Sequence, residues 1–207
     1  MDISFIIVNW NTKDLLIECL ASIYQTVNEI AFEIWVVDNG SSDGSVGAIK
    51  EKYPRIKVIE NRTNLGFAAA NNLALEHMGG HYALLLNTDT VLTEGAVGEL
   101  HNFMQGNPEA AIACGQLLNP DGSKQNSIAN FPSLLSLISN ETFLRLLLPR
   151  RFASKRREYR TPIEVDSCIG ACMLIRKKAI DKAGFLDDRY FFFLEETDWA
   201  YRMKKAG

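Results

Sequence analysis

Three acidic positions, far apart in a chain of 207 residues, sit among the neighbours that phosphate or acid–base chemistry requires. Asp38 ends an apolar run and leads into Asn39-Gly40-Ser41-Ser42-Asp43-Gly44. A carboxylate there can accept the imide N–H of a uracil or thymine ring while backbone N–H groups serve its carbonyls. The same composition also builds a turn with a helix cap. Asp89 closes Leu86-Asn87-Thr88-Asp89-Thr90. A leaving diphosphate needs a divalent cation, and Mg²⁺ or Mn²⁺ prefers carboxylate, phosphate and water oxygens. An Asp at a strand end also caps turns. Glu195, Glu196 and Asp198 follow an aromatic run, Phe191-Phe192-Phe193, and open a helical pattern. They suit the positive end of a helix dipole, as in any acidic first turn. The aromatics are expected to shield at least one carboxylate, raising its pKa so that it can accept a proton.

Between these positions, Asn64-Leu65-Gly66 enters a helix of small residues, Phe67-Ala68-Ala69-Ala70-Asn71-Asn72. Small residues permit close packing on a sheet, and Asn71 or Asn72 can reach a nucleotide sugar or diphosphate. No Gly-x-Gly-x-x-Gly follows the first apolar run, and no Gly-Lys-Ser/Thr phosphate loop occurs, so dinucleotide oxidoreductase and P-loop readings lose their support. Cys168 and Cys172 lack the second pair that a zinc site needs and read as buried free thiols. His77, His81 and His101 read as surface or helix-end residues.

The elements that must position these groups alternate. Short apolar strands are expected at 3–8, 32–37, 56–59 and 82–86, with helices at 14–24, from Ser42 or Asp43 to 52, and at 67–78. A βαβαβ order implies an α/β domain with a largely parallel sheet between two layers of helices. Such sheets bind ligands at the carboxyl ends of their strands. Asn9-Trp10-Asn11, Asp38-Asn39-Gly40 and Asn87-Thr88-Asp89 should therefore open onto one crevice. Further along, Pro120-Asp121-Gly122 predicts a turn, 165–176 a strand, 178–183 a helix and 195–205 a last helix ending at a glycine cap.

Composition fits one soluble domain, with 47% hydrophobic and 23% charged residues. A net charge of -3 argues against nucleic acid as a partner. Four cysteines do not make a disulfide framework, and neither a signal peptide nor a spanning segment of about 20 apolar residues is evident. The expectation is a cytoplasmic protein.

IIVNWN, VVDNGSSDGS, NRTNLGFAAANN, LLLNTDT, GACMLIRKKA and FFFLEETDWAYR stand in the order of family 2 glycosyltransferases of the GT-A fold, and span nearly the whole chain. The chain resembles in particular the bacterial rhamnosyltransferase-like members that build cell-surface polysaccharides. The resemblance implies a Rossmann-like sheet in a single domain over 1–207, with a nucleotide-sugar half at 1–117 and an acceptor-side half at 118–207. It implies an inverting, metal-dependent transfer from a dTDP- or UDP-sugar, with dTDP-rhamnose the first guess. Val8, Asn9, Trp10, Asp38, Gly66, Asn71 and Thr88 would bind the nucleotide, with Trp10 beside the base and Asp38 on its imide. Asp89 would hold the metal, and Gly170, Ala171 and Cys172 would line the sugar pocket. Glu195 and Glu196 would supply the base, Glu196 standing where relatives place Asp, and Asp198 would orient the base or Arg202. Relatives often carry an Asp where Asn87 stands, which points to weaker metal binding. They often place a metal-proximal His after the last helix, so further residues are expected beyond Gly207.

Many such enzymes use polyprenyl-diphosphate acceptors. Leucines and isoleucines over 131–148, then the basic stretch 150–160, read as peripheral contact with anionic lipid at the inner face of the plasma membrane, or equally as a helical flap and a solvated loop. Two rival functions are a sugar-phosphate nucleotidyltransferase, whose glycine-rich basic loop Asn9-Trp10-Asn11-Thr12 does not supply, and a non-catalytic nucleotide-sugar-binding module.

Overall fold

A computed structural model describes residues 1–132, 159, 161–191 and 193–207. Its elements run β1 (Ile3–Asn9), α1 (Lys13–Thr26), β2 (Phe32–Asp38), α2 (Ser45–Lys52), β3 (Lys57–Glu60), α3 (Phe67–Leu75), β4 (Tyr82–Leu86), α4 (Ala96–Gly106), β5 (Ile112–Cys114), β6 (Ile128–Ala129), β7 (Ser167–Cys168), β8 (Cys172–Arg176), α5 (Lys177–Ala183) and α6 (Glu195–Ala206). Strands and helices fall where the alternation predicts, except that the third helix stops at Leu75 and the strand expected over 165–176 is broken at Gly170-Ala171.

The main sheet has the order β3-β2-β1-β4-β8-β5. β1 pairs in parallel with both β2 and β4, whereas β8 runs antiparallel between β4 and β5. The chain moves outward from β1 to β3 and then returns across β1 to β4. That reversal leaves a crevice at the carboxyl ends of β1 and β4, the usual ligand position in open α/β sheets. β8 belongs to the later half of the chain but lies inside the sheet, so both halves share one core.

Side chains alternate across the strands, which explains why β1 and β4 are apolar at almost every position. Ile3, Phe5, Ile7, Leu84 and Leu86 face one layer with Leu16, Leu20 and Ile23 of α1, Ile49 of α2 and Met104 of α4. Ile6, Ala83 and Leu85 face the other with Ala68, Ala70 and Ala74 of α3 and Trp199 and Met203 of α6. His101 departs from the surface role expected of it. It lies on α4 with its ring edge-on to Tyr82 at 5.5 Å, buried because that face of α4 covers the sheet. Cys168 and Cys172 are buried free thiols as expected.

Two charged side chains close the ends of the layers. Arg176 donates to the carbonyls of Met104, Asn107 and Ala110 and to the Tyr82 hydroxyl, tying β8 to the end of α4. Glu33, at the edge opposite the crevice, accepts from Ser4 Oγ at 2.6 Å, Gly79 N at 2.6 Å and Lys57 Nζ at 2.7 Å. Burial alone would raise its pKa. The hydrogen bonds from Lys57, Ser4 and Gly79 outweigh that and hold it at about 2, against an ordinary 4.5. A depressed carboxyl stabilises the fold fully above its unfolded pKa, and loses that contribution as pH falls through its folded one. Glu33→Gln is therefore expected to cost about 1–3 kcal/mol at pH 7 and to flatten the decline in urea midpoint as pH falls from 4.5 toward 2.

Candidate active site

The carboxyl edge of the sheet is built around Asp38. Its carboxylate is 3% exposed and accepts from Asn9 Nδ2 at 2.8 Å and from Ser41 N at 2.9 Å. Asn9, directly across the β1–β2 ladder, is wholly buried. Its Nδ2 also reaches Ser41 Oγ at 3.0 Å, and Thr12 Oγ1 lies 2.9 Å from its Oδ1. Asn9 thus orients the carboxylate and is itself enclosed. Val8 is half-buried and Trp10 stands exposed at the rim, open to a flat partner. Asp43 caps two helices, accepting from Lys13 N at 2.8 Å and Ser45 N at 3.0 Å. The helix-cap role open to Asp38 therefore falls to Asp43.

A second set of amides joins this edge to α3. Asn39 Nδ2 donates to Gly66 O at 3.1 Å and Asn64 Oδ1 at 3.2 Å, and Asn61 Nδ2 donates to Asn39 Oδ1 at 2.9 Å. Gly66 has φ +82° and faces Phe191, whose carbonyl accepts from Phe67 N at 3.1 Å. A Cβ on Gly66 would lie 2.5 Å from that carbonyl oxygen. Gly66 is thus the point where the loop before α6 rests on the start of α3, and that loop covers it. Asn71 is 1% exposed and donates back to Phe67 O at 2.9 Å, one turn earlier on α3. Asn72 clamps Leu186 through its backbone N–H and carbonyl.

At the end of β4, Asn87 N donates to Ala171 O at 3.0 Å and Thr90 Oγ1 to the same oxygen at 3.2 Å. The Asn87–Ala171 bond carries the β4–β8 register one residue beyond Leu86–Cys172. Gly170 fits because a Cβ would come 3.2 Å from the Phe67 ring. Of the three residues expected to line a sugar pocket, Ala171 is half-open, while Gly170 and Cys172 are buried. Thr88 is half-buried and Asp89 exposed. Among the described residues no group of three His, Cys, Asp or Glu could enclose a metal ion. One exposed carboxylate fits a cation shared with a diphosphate, whose phosphate and water oxygens complete the coordination.

Glu195 opens α6 and is 3% exposed. Burial raises its pKa, the negative field of Glu196 adds to this, and its own backbone N–H opposes. Oε2 of Glu195 and Oε2 of Glu196 are both buried without a hydrogen-bond partner among the described residues. Of the aromatic run expected to shield them, Phe191 and Phe193 are 61% and 68% exposed, and Phe192 lies outside the described residues. Phe193 and Leu194 both have left-handed backbone, φ +73° and +72°. Asp198 accepts from Arg202 Nε at 2.7 Å, and Arg202 holds the Ala183 and Phe185 carbonyls, so Asp198 acts on that partner and secures the α5–α6 connection. Burial pushes the thiols of Cys19 and Cys172 up to about 12, which removes both as nucleophiles near neutral pH.

Thr12, Ser41 and the amides of Asn39, Asn61 and Asn64 were not singled out from the sequence. A signal was present in the Asn, Ser and Thr density after each strand, but which of these side chains meet is set by the sheet order. The stretch 131–160 lies outside the described residues except at Phe131, Pro132 and Tyr159. No helix among the described residues is long and apolar enough to cross a membrane.

Residues 4–184 match the family model described as Glycosyl transferase family 2. The N-acetylglucosaminyl-diphospho-decaprenol L-rhamnosyltransferase of Mycobacterium tuberculosis is 28% identical over 189 residues, 84% of this chain and 61% of that enzyme. The Pyrobaculum calidifontis mannosyltransferase PcManGT, in complex with GDP-Man and Mn²⁺, superposes with a TM-score of 0.68 at 16% identity, over 97% of this chain and 51% of that one. S. aureus TarS 1-349 in complex with UDP-GlcNAc gives 0.67 at 16% identity, over 100% and 54%. This chain spans between half and two thirds of the length of each of these proteins. Its fold is that of the GT-A glycosyltransferases. The chain belongs to glycosyl transferase family 2.

The close approach at Gly66 makes a direct expectation. Gly66→Ala must both hold an unfavourable φ and displace the Phe191 carbonyl. It should lower stability by about 1–3 kcal/mol in denaturant titration and loosen the loop that leads into Glu195 and Glu196 of α6, read as faster amide exchange at Phe67.

Proposed function

We propose that this family 2 chain transfers a sugar from a nucleoside-diphosphate donor to a hydroxyl of a glycan or lipid-linked acceptor, in one inverting displacement. The observation that carries the reading is the pair of buried, unpartnered carboxylate oxygens of Glu195 and Glu196 in the first turn of α6, just after the loop that rests on Gly66. A buried acceptor without a donor is costly, and an incoming hydroxyl relieves it by donating its proton.

In this reading Asp38, aligned by Asn9 and Ser41, takes the base imide, and exposed Trp10 lies against the ring. Residues 1–117 hold the donor and 118–207 the acceptor side. Glu196 removes the acceptor proton, Glu195 shapes the field around it, and the oxygen attacks the anomeric carbon opposite the diphosphate. Asp89 would hold a divalent cation, which when bound neutralises charge on the departing diphosphate. The name of the mycobacterial relative supports rhamnose as the first sugar to try, with dTDP-rhamnose before UDP-sugars, and a polyprenyl-diphosphate-linked sugar as acceptor. Such an acceptor places the work at the cytoplasmic face of a membrane.

Glu196→Gln should lower kcat by about 10²–10⁴-fold while donor affinity stays within about twofold. Near-normal turnover would remove Glu196 from the role, and the same measurement on Glu195→Gln decides whether its neighbour carries it. Nucleotide binding by the parent with no turnover of any donor would favour a binding module over an enzyme. A site with one exposed carboxylate should also take cation and diphosphate together. Calorimetry is expected to detect Mn²⁺ binding with UDP or dTDP present and none without them. Tight Mn²⁺ binding to the protein alone would contradict the assignment of Asp89.

A further inference from the structure

Resting on the reading of Asp89 as the edge that meets cation and diphosphate, the hydrogen bonds along the strand ends single out Thr12. Thr12 Oγ1 lies 2.9 Å from Asn9 Oδ1 and 3.0 Å from Thr88 Oγ1. Its side chain does not cap α1, so it is free for these contacts. The proton directions follow from the end of the chain. Asn9 turns its Nδ2 to the Asp38 carboxylate and therefore its carbonyl oxygen to Thr12. A carbonyl only accepts, so the single Thr12 proton goes to Asn9. Thr12 can then only accept from Thr88, whose own proton is used. The Thr88 hydroxyl, next to Asp89, is left with lone pairs for a ligand. Ser41 is the converse: its oxygen accepts from Asn9 Nδ2 and Asn11 N, leaving its proton to donate.

We infer that Thr12 is a positioning residue that fixes the Thr88 hydroxyl as an oxygen acceptor for the cation–diphosphate end of the donor, and so couples that end to Asp38. The pattern is polar along the cleft, with a donor hydroxyl beside Asp38 and an acceptor hydroxyl beside Asp89. A hard cation prefers such an oxygen. The arrangement also gives the site a second oriented oxygen where Asn87 offers an amide.

The test is calorimetry of UDP and dTDP, with and without Mn²⁺, on the parent, Thr12→Val, Thr12→Ser and Thr88→Val. Thr12→Val should weaken Mn²⁺-dependent binding about tenfold and leave metal-free binding within about twofold. Thr12→Ser should restore the parent value. Thr88→Val breaks the chain from the other end and should match Thr12→Val, and the double variant should be no weaker than either single one. Thr88→Val also carries the test if Thr12→Val does not fold. Unchanged Mn²⁺-dependent binding in Thr12→Val and Thr88→Val, or equal loss with and without Mn²⁺, overturns the inference while leaving the proposed function standing. Absence of binding in the parent overturns the proposed function, and this inference with it.

Discussion

A carboxylate withdrawn from water must find hydrogen-bond donors, and the way Asp38 meets that demand organises the whole carboxyl edge of the sheet. It takes one donor from the strand beside it and one from the turn that follows. Because Asn9 can supply Asp38 only by turning its own carbonyl the other way, the demand passes on to Thr12 and then to Thr88 on a third strand. Side chains thereby link the ends of three strands. The backbone ladder aligns Asn9 with Asp38, and this network fixes which way each polar group faces.

The later part of the chain is attached to that edge at two places of different character. At Asn87 and Thr90 the attachment is a hydrogen-bonded carbonyl, Ala171 O, one residue beyond the last β4–β8 pair. At Gly66 it is steric, a backbone carbonyl resting where any side chain would stand. Between them, the loop ahead of α6 holds two left-handed, non-glycine residues with exposed apolar side chains. Both features are costly in a free domain. Their presence beside two unpartnered carboxylate oxygens concentrates that cost at the entry to α6.

Much of this could be read from the chain before its structure. The four parallel strands followed from runs of Ile, Val and Leu, and the crevice from the Asn, Asp and Thr residues that end them. What was hidden depends on neighbours that periodicity does not name. The return of the Asn71 amide to Phe67 O depends on how α3 packs and has no signature in the sequence. Left-handed geometry at Phe193 and Leu194 likewise has no marker when neither is glycine. His101 gave no sign that its face of α4 lies on Tyr82. The break inside 165–176 required knowing that β4 would present Asn87 and Thr90 to it.

The antiparallel insertion of β8 also bears on how the molecule comes together in time. β1 to β4 can pair in the order in which they are made, through crossovers of modest length. The contact of Leu86 with Cys172 must wait for a much longer loop to close, and closures of that kind slow folding. During synthesis the exposed edge of β4 is therefore an unpaired, apolar template until residue 176 leaves the ribosome. The edge is thus covered only when β8 is made, and α6, which brings Glu195 and Glu196 to the cleft, is added later still.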